Sequence, residues 1–253
     1  MKLFAYGCSY TKGSELADDF LTGLSVQETE KIKKQTGNAG FNKKYLTNVK
    51  YKAYNDLMHE RSYASFIAKK CKLEYVNRAI SGSSNLSMYY EILKDIDSGL
   101  IKKEDIVFVG FTSLNRYSWF KDSKLETGHP SGTSWPADKF KKQFITYTSD
   151  SDYILHSISH IHAIFEICKD YKFYYQTTHW PYSQTYSNTE INNPLWNQLE
   201  IIDKGAIIPF HCLFYELEDP EKYQLYSHSF GHPYKEFHES FGNKLGEAIY
   251  EKI

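Results

Sequence analysis

The chain opens on a short apolar run, Lys2–Tyr6 (KLFAY), which stops at Gly7 and gives way to small polar residues. An apolar run of this length bounded by glycine predicts a buried strand. Arg61–Cys71 places Tyr63, Phe66 and Ile67 on one helical face, and Leu73–Val76 follows as a second strand. Ser87–Ile101 carries Met88, Ile92 and Ile96 at four-residue spacing, which predicts a helix. Asp105–Phe111 (DIVFVGF) is a continuous β-branched and aromatic run and gives the clearest strand signal. Tyr153–Asp170 is the clearest helix, and the strand Tyr171–Gln176 comes directly after it. Ala206–Phe214 is one more short apolar run, interrupted by Pro209, and Tyr234–Ile253 closes the chain as an amphipathic helix.

Strands alternating with helices call for a parallel sheet covered on both faces. The expected fold class is α/β, a three-layer α/β/α sandwich with about five strands, organised as one domain over residues 1–253. One connection is too long for that rhythm. Residues 14–60 read as an insertion, and Lys31–Lys52 holds seven lysines and no acid. A solvated surface element is the favoured reading, and a lid or basic arm over an anionic partner is the functional one. Tyr117–Lys142 reads as irregular and contains Trp119 and Trp135, while Thr178–Trp196 contains Trp180, Tyr182, Tyr186 and Trp196. These irregular stretches all follow predicted strands, and ligand sites of open parallel sheets form at the carboxyl ends of strands.

A formal net charge of −1 over 253 residues argues against a protein committed to nucleic acid, although the lysine-rich stretch keeps a nucleic-acid-associated reading in third place. Aromatic residues make up 17%, with 22 Tyr, which suits either packing or a carbohydrate-binding rim. Cys8, Cys71, Cys168 and Cys212 form no C-x-x-C pair and are expected as buried free thiols of a reducing compartment. No signal-peptide pattern and no run long enough for a membrane span are visible, so a cytoplasmic location without membrane attachment is the expectation.

The opening segment invites comparison with a phosphate-binding loop. That loop needs Gly-Lys in this order after the spacer, whereas Lys12-Gly13 is reversed here, and no G-x-G-x-x-G occurs. A serine nucleophile at a strand end is the better reading of Gly7-Cys8-Ser9. Serine needs a base and an oxyanion hole. Strand-end loops that could furnish donors are Ser81-Gly82-Ser83-Ser84-Asn85 and Gly110-Phe111-Thr112-Ser113-Leu114-Asn115. Gly231-His232-Pro233 precedes the last helix and could furnish the base.

In this order GCSYT, SGSSN, GFTSLNR and GHPYKEFH resemble the four sequence blocks of the SGNH/GDSL hydrolase superfamily. The GCSYT variant resembles SGNH-type proteins of bacteriophages, which adds a bacterial host cytoplasm or a virion as locations. The resemblance implies a flavodoxin-like α/β/α sandwich and a serine esterase that needs no metal or organic cofactor. It implies Ser9 as nucleophile, His232 as base, and the N–H groups of Ser9 and Gly82 as oxyanion donors. His238 matches a histidine common six residues after the catalytic one, with a structural role. Two positions depart from the family pattern. Thr112 stands where an asparagine is usual, so its hydroxyl or Asn115 would have to donate. Ser229 stands where the family places the aspartate that orients the histidine. Ser229 or His228 could orient His232, and Glu216, Glu218 and Asp219 are the nearby acids. Cys8 replaces an acidic neighbour of the serine and should point away from the cleft.

The expected partner is a small-molecule or glycan ester, with a short acyl ester of carbohydrate preferred and Trp119, Trp135 and Trp180 at the rim. The rival is a binding or structural module on the same fold that has lost catalysis. His156, His160 and His162 lie on one predicted helix, where a polar face is favoured over a metal site.

Overall fold

Strand β1 (Lys2–Gly7) is buried along nearly its whole length and lies inside a parallel sheet. The structure is a computed structural model and describes residues 1–14, 16–45, 48–114, 116–121, 124–128, 150–177, 194–209 and 233–253. The sheet order is β2 (Glu74–Asn77), β1, β3 (Ile106–Phe111), then β6 (Lys172–Thr177). Gly7 pairs in register with Gly110, and Gly110 with Gln176, so the strands end almost level at their carboxyl edge. Burial on both faces is why the central strands β1 and β3 read as apolar runs rather than alternating ones. Of the fifth run, residues 206–209 are described. They lie against β6, with Ile207 N–H donating to Tyr175 O at 3.0 Å, but adopt turns rather than strand.

Side-chain parity assigns the helices to faces. Phe108 meets Tyr63 of α5 (Tyr63–Lys70), whereas Phe111, three positions on and so on the other face, meets Phe165 of α7 (Asp150–Cys168). Tyr6 is level with Val109, on the Phe111 side, and its hydroxyl donates to Asp95 of α6 (Asn85–Asp97) at 2.7 Å. The last helix, α9 (Lys235–Tyr250), packs on α5. Gly242 lies against the Tyr63 carbonyl and Gly246 against Ile67 and Lys70, positions with no space for a side chain. His238 Nδ1 accepts the Tyr63 N–H at 3.0 Å and the two rings stack, which ties α9 to the start of α5. Helices therefore cover both faces of the sheet. Helix α8 (Pro194–Lys204) leads into the segment beside β6.

Helices α1 (Ser9–Lys12), α2 (Asp18–Thr22), α3 (Val26–Tyr45) and α4 (Asn48–Arg61) fill the long connection. The last three take no part in the sheet and enclose a small second core of Ala17, Leu21, Tyr54 and Met58. The solvated reading of Lys31–Lys52 fails at Lys33, whose side chain is 1% exposed. Its ammonium lies 2.5 Å from Asp18 Oδ2, and Tyr54 OH donates to Asp18 Oδ1 at 2.7 Å. A charge is tolerated inside because its partner is buried with it. A second correction concerns the expected irregular stretch after β3. Strands β4 (Tyr117–Lys121) and β5 (Lys124–Gly128) form an antiparallel pair. Neither is a continuous apolar run, so hydropathy alone does not mark them.

Candidate active site

Ser9 lies two residues beyond the end of β1 and opens α1. Its carbonyl accepts the N–H groups of Gly13 and Ser14 at 3.0 and 2.9 Å, so the chain doubles back immediately. Gly7 makes that reversal possible, because a Cβ there would overlap the Thr11 side chain. Thr11 Oγ1 and Tyr63 OH share a hydrogen bond of 2.8 Å, which anchors α1 on α5. Cys8 is fully buried in the main core, and Ser9 is 6% exposed.

The loop after β2 prolongs the contact with β1. Arg78 N–H donates to Ala5 O at 2.8 Å and Ile80 N–H to Gly7 O at 3.0 Å. A turn then closes with Ser83 N–H donating to Ile80 O at 3.0 Å. Gly82 occupies its third position with φ +84°, a conformation that costs other residues steric strain. A Cβ on Gly82 would meet nothing within 4 Å, so the backbone angle, rather than lack of space, calls for glycine. Ser14 Oγ and Ser81 Oγ, 2.7 Å apart, join the segments that follow β1 and β2.

Thr112 is the first residue beyond β3 and is fully buried. Its N–H donates to Asn85 Oδ1 at 3.2 Å, while its Oγ1 has no partner among the described residues. Ser9, Gly82 and Thr112 thus follow three adjacent strands at one edge of the sheet. Asn115, His228, Ser229, His232, Trp135 and Trp180 lie outside the described residues, as do Glu216, Glu218 and Asp219. Trp119 is described through its backbone, in register with Glu126. Pro233, next to His232 in the chain, is buried and leads into α9.

Within the loop Ser81–Asn85 the sequence points to a role for Gly82 alone, and the structure adds its neighbours. Ser84 caps α6 in a reciprocal pair with Ser87, and Ser84 Oγ lies 2.5 Å from Ser118 Oγ. Arg116 Nη1 donates to Ser83 O at 3.2 Å. The signal for the cap was present as Ser84-x-x-Ser87 ahead of an apolar run. Nothing local announced the bonds to residues 112, 116 and 118.

Other titratable groups lie away from these loops in sequence. His156 and His160 are neighbours on α7 with ring centroids 4.4 Å apart. Burial, with His156 beside it, pushes His160 down to about 4. Asp203 of α8 is 1% exposed, and burial raises it to about 6 although a Thr177 hydrogen bond opposes the rise. Among the described residues no group of three or more His, Cys, Asp or Glu gathers to hold a metal ion. No helix among them is long and apolar enough to cross a membrane.

No protein-family model matches the chain, and no curated protein matches it either. Among solved structures the chain is similar to a candidate lipolytic protein of the G-D-S-L family from Desulfitobacterium hafniense. The identity is 15% and the TM-score 0.47, over 98% of each chain. It is also similar to a candidate GDSL-like lipase from Parabacteroides merdae, at 11% identity and TM-score 0.42, over 97% of this chain and 94% of that one.

Proposed function

We propose that the protein is a serine acyl hydrolase of SGNH type, with Ser9 as nucleophile and His232 as general base. The observation that supports this most is the gathering of Ser9, the Gly82 turn and Thr112 on adjacent loops at the carboxyl edge of a parallel sheet. In the proposed reaction His232 takes the hydroxyl proton as Ser9 Oγ attacks the carbonyl carbon of an ester. The N–H groups of Ser9 and Gly82 hold the oxyanion, with a third donor from Thr112 or Asn115. The alcohol leaves with the proton returned by His232, and water then releases the acid from the acyl-enzyme. A short acyl ester of carbohydrate is the proposed substrate class, supported by the aromatic composition around Trp119, Trp135 and Trp180.

The test is hydrolysis of an activated acetyl ester by the wild type, Ser9→Ala and His232→Ala. Each substitution should lower kcat by at least about 10³-fold, since the nucleophile and base act as a unit. Ser229→Asp should raise the rate by supplying the charge that stabilises an imidazolium. One observation favours a second reading. Thr112 stands in place of an amide side chain, and a site adapted to binding could have arisen that way. Equal hydrolysis by all four proteins would favour that reading.

A further inference from the structure

Residues 83, 84 and 85 follow Gly82, and each holds a different residue of the chain leaving β3. Ser83 O accepts from Arg116, Ser84 Oγ meets Ser118 Oγ, and Asn85 Oδ1 accepts the Thr112 N–H. Asn85 is 2% exposed, and the other end of its amide donates to Ser157 Oγ of α7 at 2.9 Å. One side chain therefore spans the start of α6, the end of β3 and α7.

The Thr112 N–H is taken by Asn85, so it is not available to a substrate. The Thr112 hydroxyl is fully buried and has no partner among the described residues. An unpaired buried hydroxyl costs stability, and native structures leave few of them without a reason. We infer that Asn85 is a positioning residue for acyl transfer: by holding the Thr112 N–H it makes the Thr112 hydroxyl the oxyanion donor from β3, and it locks that donor to the Gly82 loop. The inference rests on the Ser9 hydrolase reading and adds to it the choice of donor and the residue that sets it. Asn85 touches no substrate and acts through Thr112. The ligand is an acyl or phosphonyl centre whose oxygen gains negative charge as Ser9 attacks.

The experiment uses the full chain and an alkyl fluorophosphonate. Ser9 Oγ forms a bond to phosphorus, fluoride leaves with the P–F electron pair, and the hydroxyl proton passes to the base. The adduct is located by peptide mass spectrometry and its formation rate measured, alongside acetyl-ester hydrolysis and the thermal unfolding midpoint. Thr112→Val should slow labelling and lower kcat by about 10²-fold, the scale of one oxyanion donor, with KM within about threefold of wild type. Its midpoint should stay equal or rise, because no hydrogen bond to a described residue is lost. Asn85→Leu should slow labelling by a similar factor, and the Asn85→Leu/Thr112→Val double variant should be no slower than the slower single. Asn85→Asp keeps an acceptor for Thr112 and can accept from the Ser157 hydroxyl, so its rate should return to within about fivefold of wild type. A wild-type rate in Thr112→Val, a lowered midpoint in that variant, or additive losses in the double variant would overturn the inference while the serine reading stands. Absence of an adduct on Ser9 in the wild type would overturn both.

Discussion

Two regions of the molecule bury an aspartate with a tyrosine hydroxyl and a cation, and they do it differently. In the sheet region Asp95 accepts from Tyr6 and takes both Nε and Nη2 of Arg78, each at 2.6 Å. In the peripheral helices Asp18 accepts from Tyr54 and from Lys33. Arg78 keeps 30% of its side chain exposed and also approaches Glu91 at 3.6 Å, whereas Lys33 is 1% exposed. The Arg78 fork reaches inward while part of the guanidinium stays hydrated. Lys33 has given up water altogether and depends on Asp18 with Glu30 at 3.9 Å. The contrast shows how a small core, formed by Ala17, Leu21, Tyr54 and Met58, comes to hold three helices together. Both regions bury an aspartate with a cation, and the smaller one buries the cation as well.

The sharpest way to break this comparison is Lys33→Met, which takes the ammonium away from buried Asp18 and keeps the Tyr54 hydroxyl bond. A loss of about 3–5 kcal/mol is expected, the scale for removing one partner of a buried pair. Hydrogen exchange should report it mainly in α2–α4, with the amides of β1 and β3 still protected. The double variant Asp18→Leu/Lys33→Met should recover most of the loss. A loss below about 1 kcal/mol in urea unfolding would mean that water reaches the pair.

Arg78→Met should cost less, about 2 kcal/mol, because Asp95 keeps the Tyr6 hydroxyl and Arg78 was partly hydrated. Arg78→Lys should fall between the two, since an ammonium cannot reproduce the two-pronged contact. If Arg78→Met proves costlier than Lys33→Met, the order argued from exposure is wrong.

A last effect, confined to one pH range, concerns a buried acid of α8. Asp203 has its folded pKa raised above 3.8 to about 6, chiefly by burial. The folded state therefore binds this proton more tightly than the unfolded state. The resulting stability is fully present below the unfolded value and is lost as pH rises through about 6. Asp203→Asn should remove that slope, leaving stability near pH 4 unchanged and raising it above pH 7 by on the order of 2 kcal/mol. Urea midpoints of both proteins across that range are the measurement. Parallel curves would show that the carboxylate is stabilised by partners other than Thr177.

The elements of the central sheet were legible because their signals are local. KLFAY, DIVFVGF and the 153–170 periodicity each carry enough apolar surface in one window to declare strand or helix, and the described strands begin within one residue of those limits. The hairpin of β4 and β5 was not legible, since YSWFK and KLETG are marked by their pairing with each other. Lys33 misled for a similar reason. A lysine among lysines reads as solvated, and Asp18 and Tyr54 become its partners only once α2, α3 and α4 meet.

The candidate site divides in the same way. Residue types and their order along the chain were enough to mark Ser9 after a buried strand and the loops 81–85 and 110–115, because glycine and small polar residues punctuate apolar runs, whereas Gly82 and Thr112 were singled out within those loops by the family resemblance. Tertiary structure decided what these residues can do. Parallel pairing brought Gly7 level with Gly110, and so carried the loops of β1 and β3 to one edge. The same packing gave the Thr112 N–H to Asn85, 27 residues away, and left its hydroxyl buried without a partner among the described residues. Hydropathy is summed over neighbours in sequence, whereas a hydrogen bond is satisfied by neighbours in space. That is why the strands were readable from the chain alone and the hydrogen-bond partners of these loops were not.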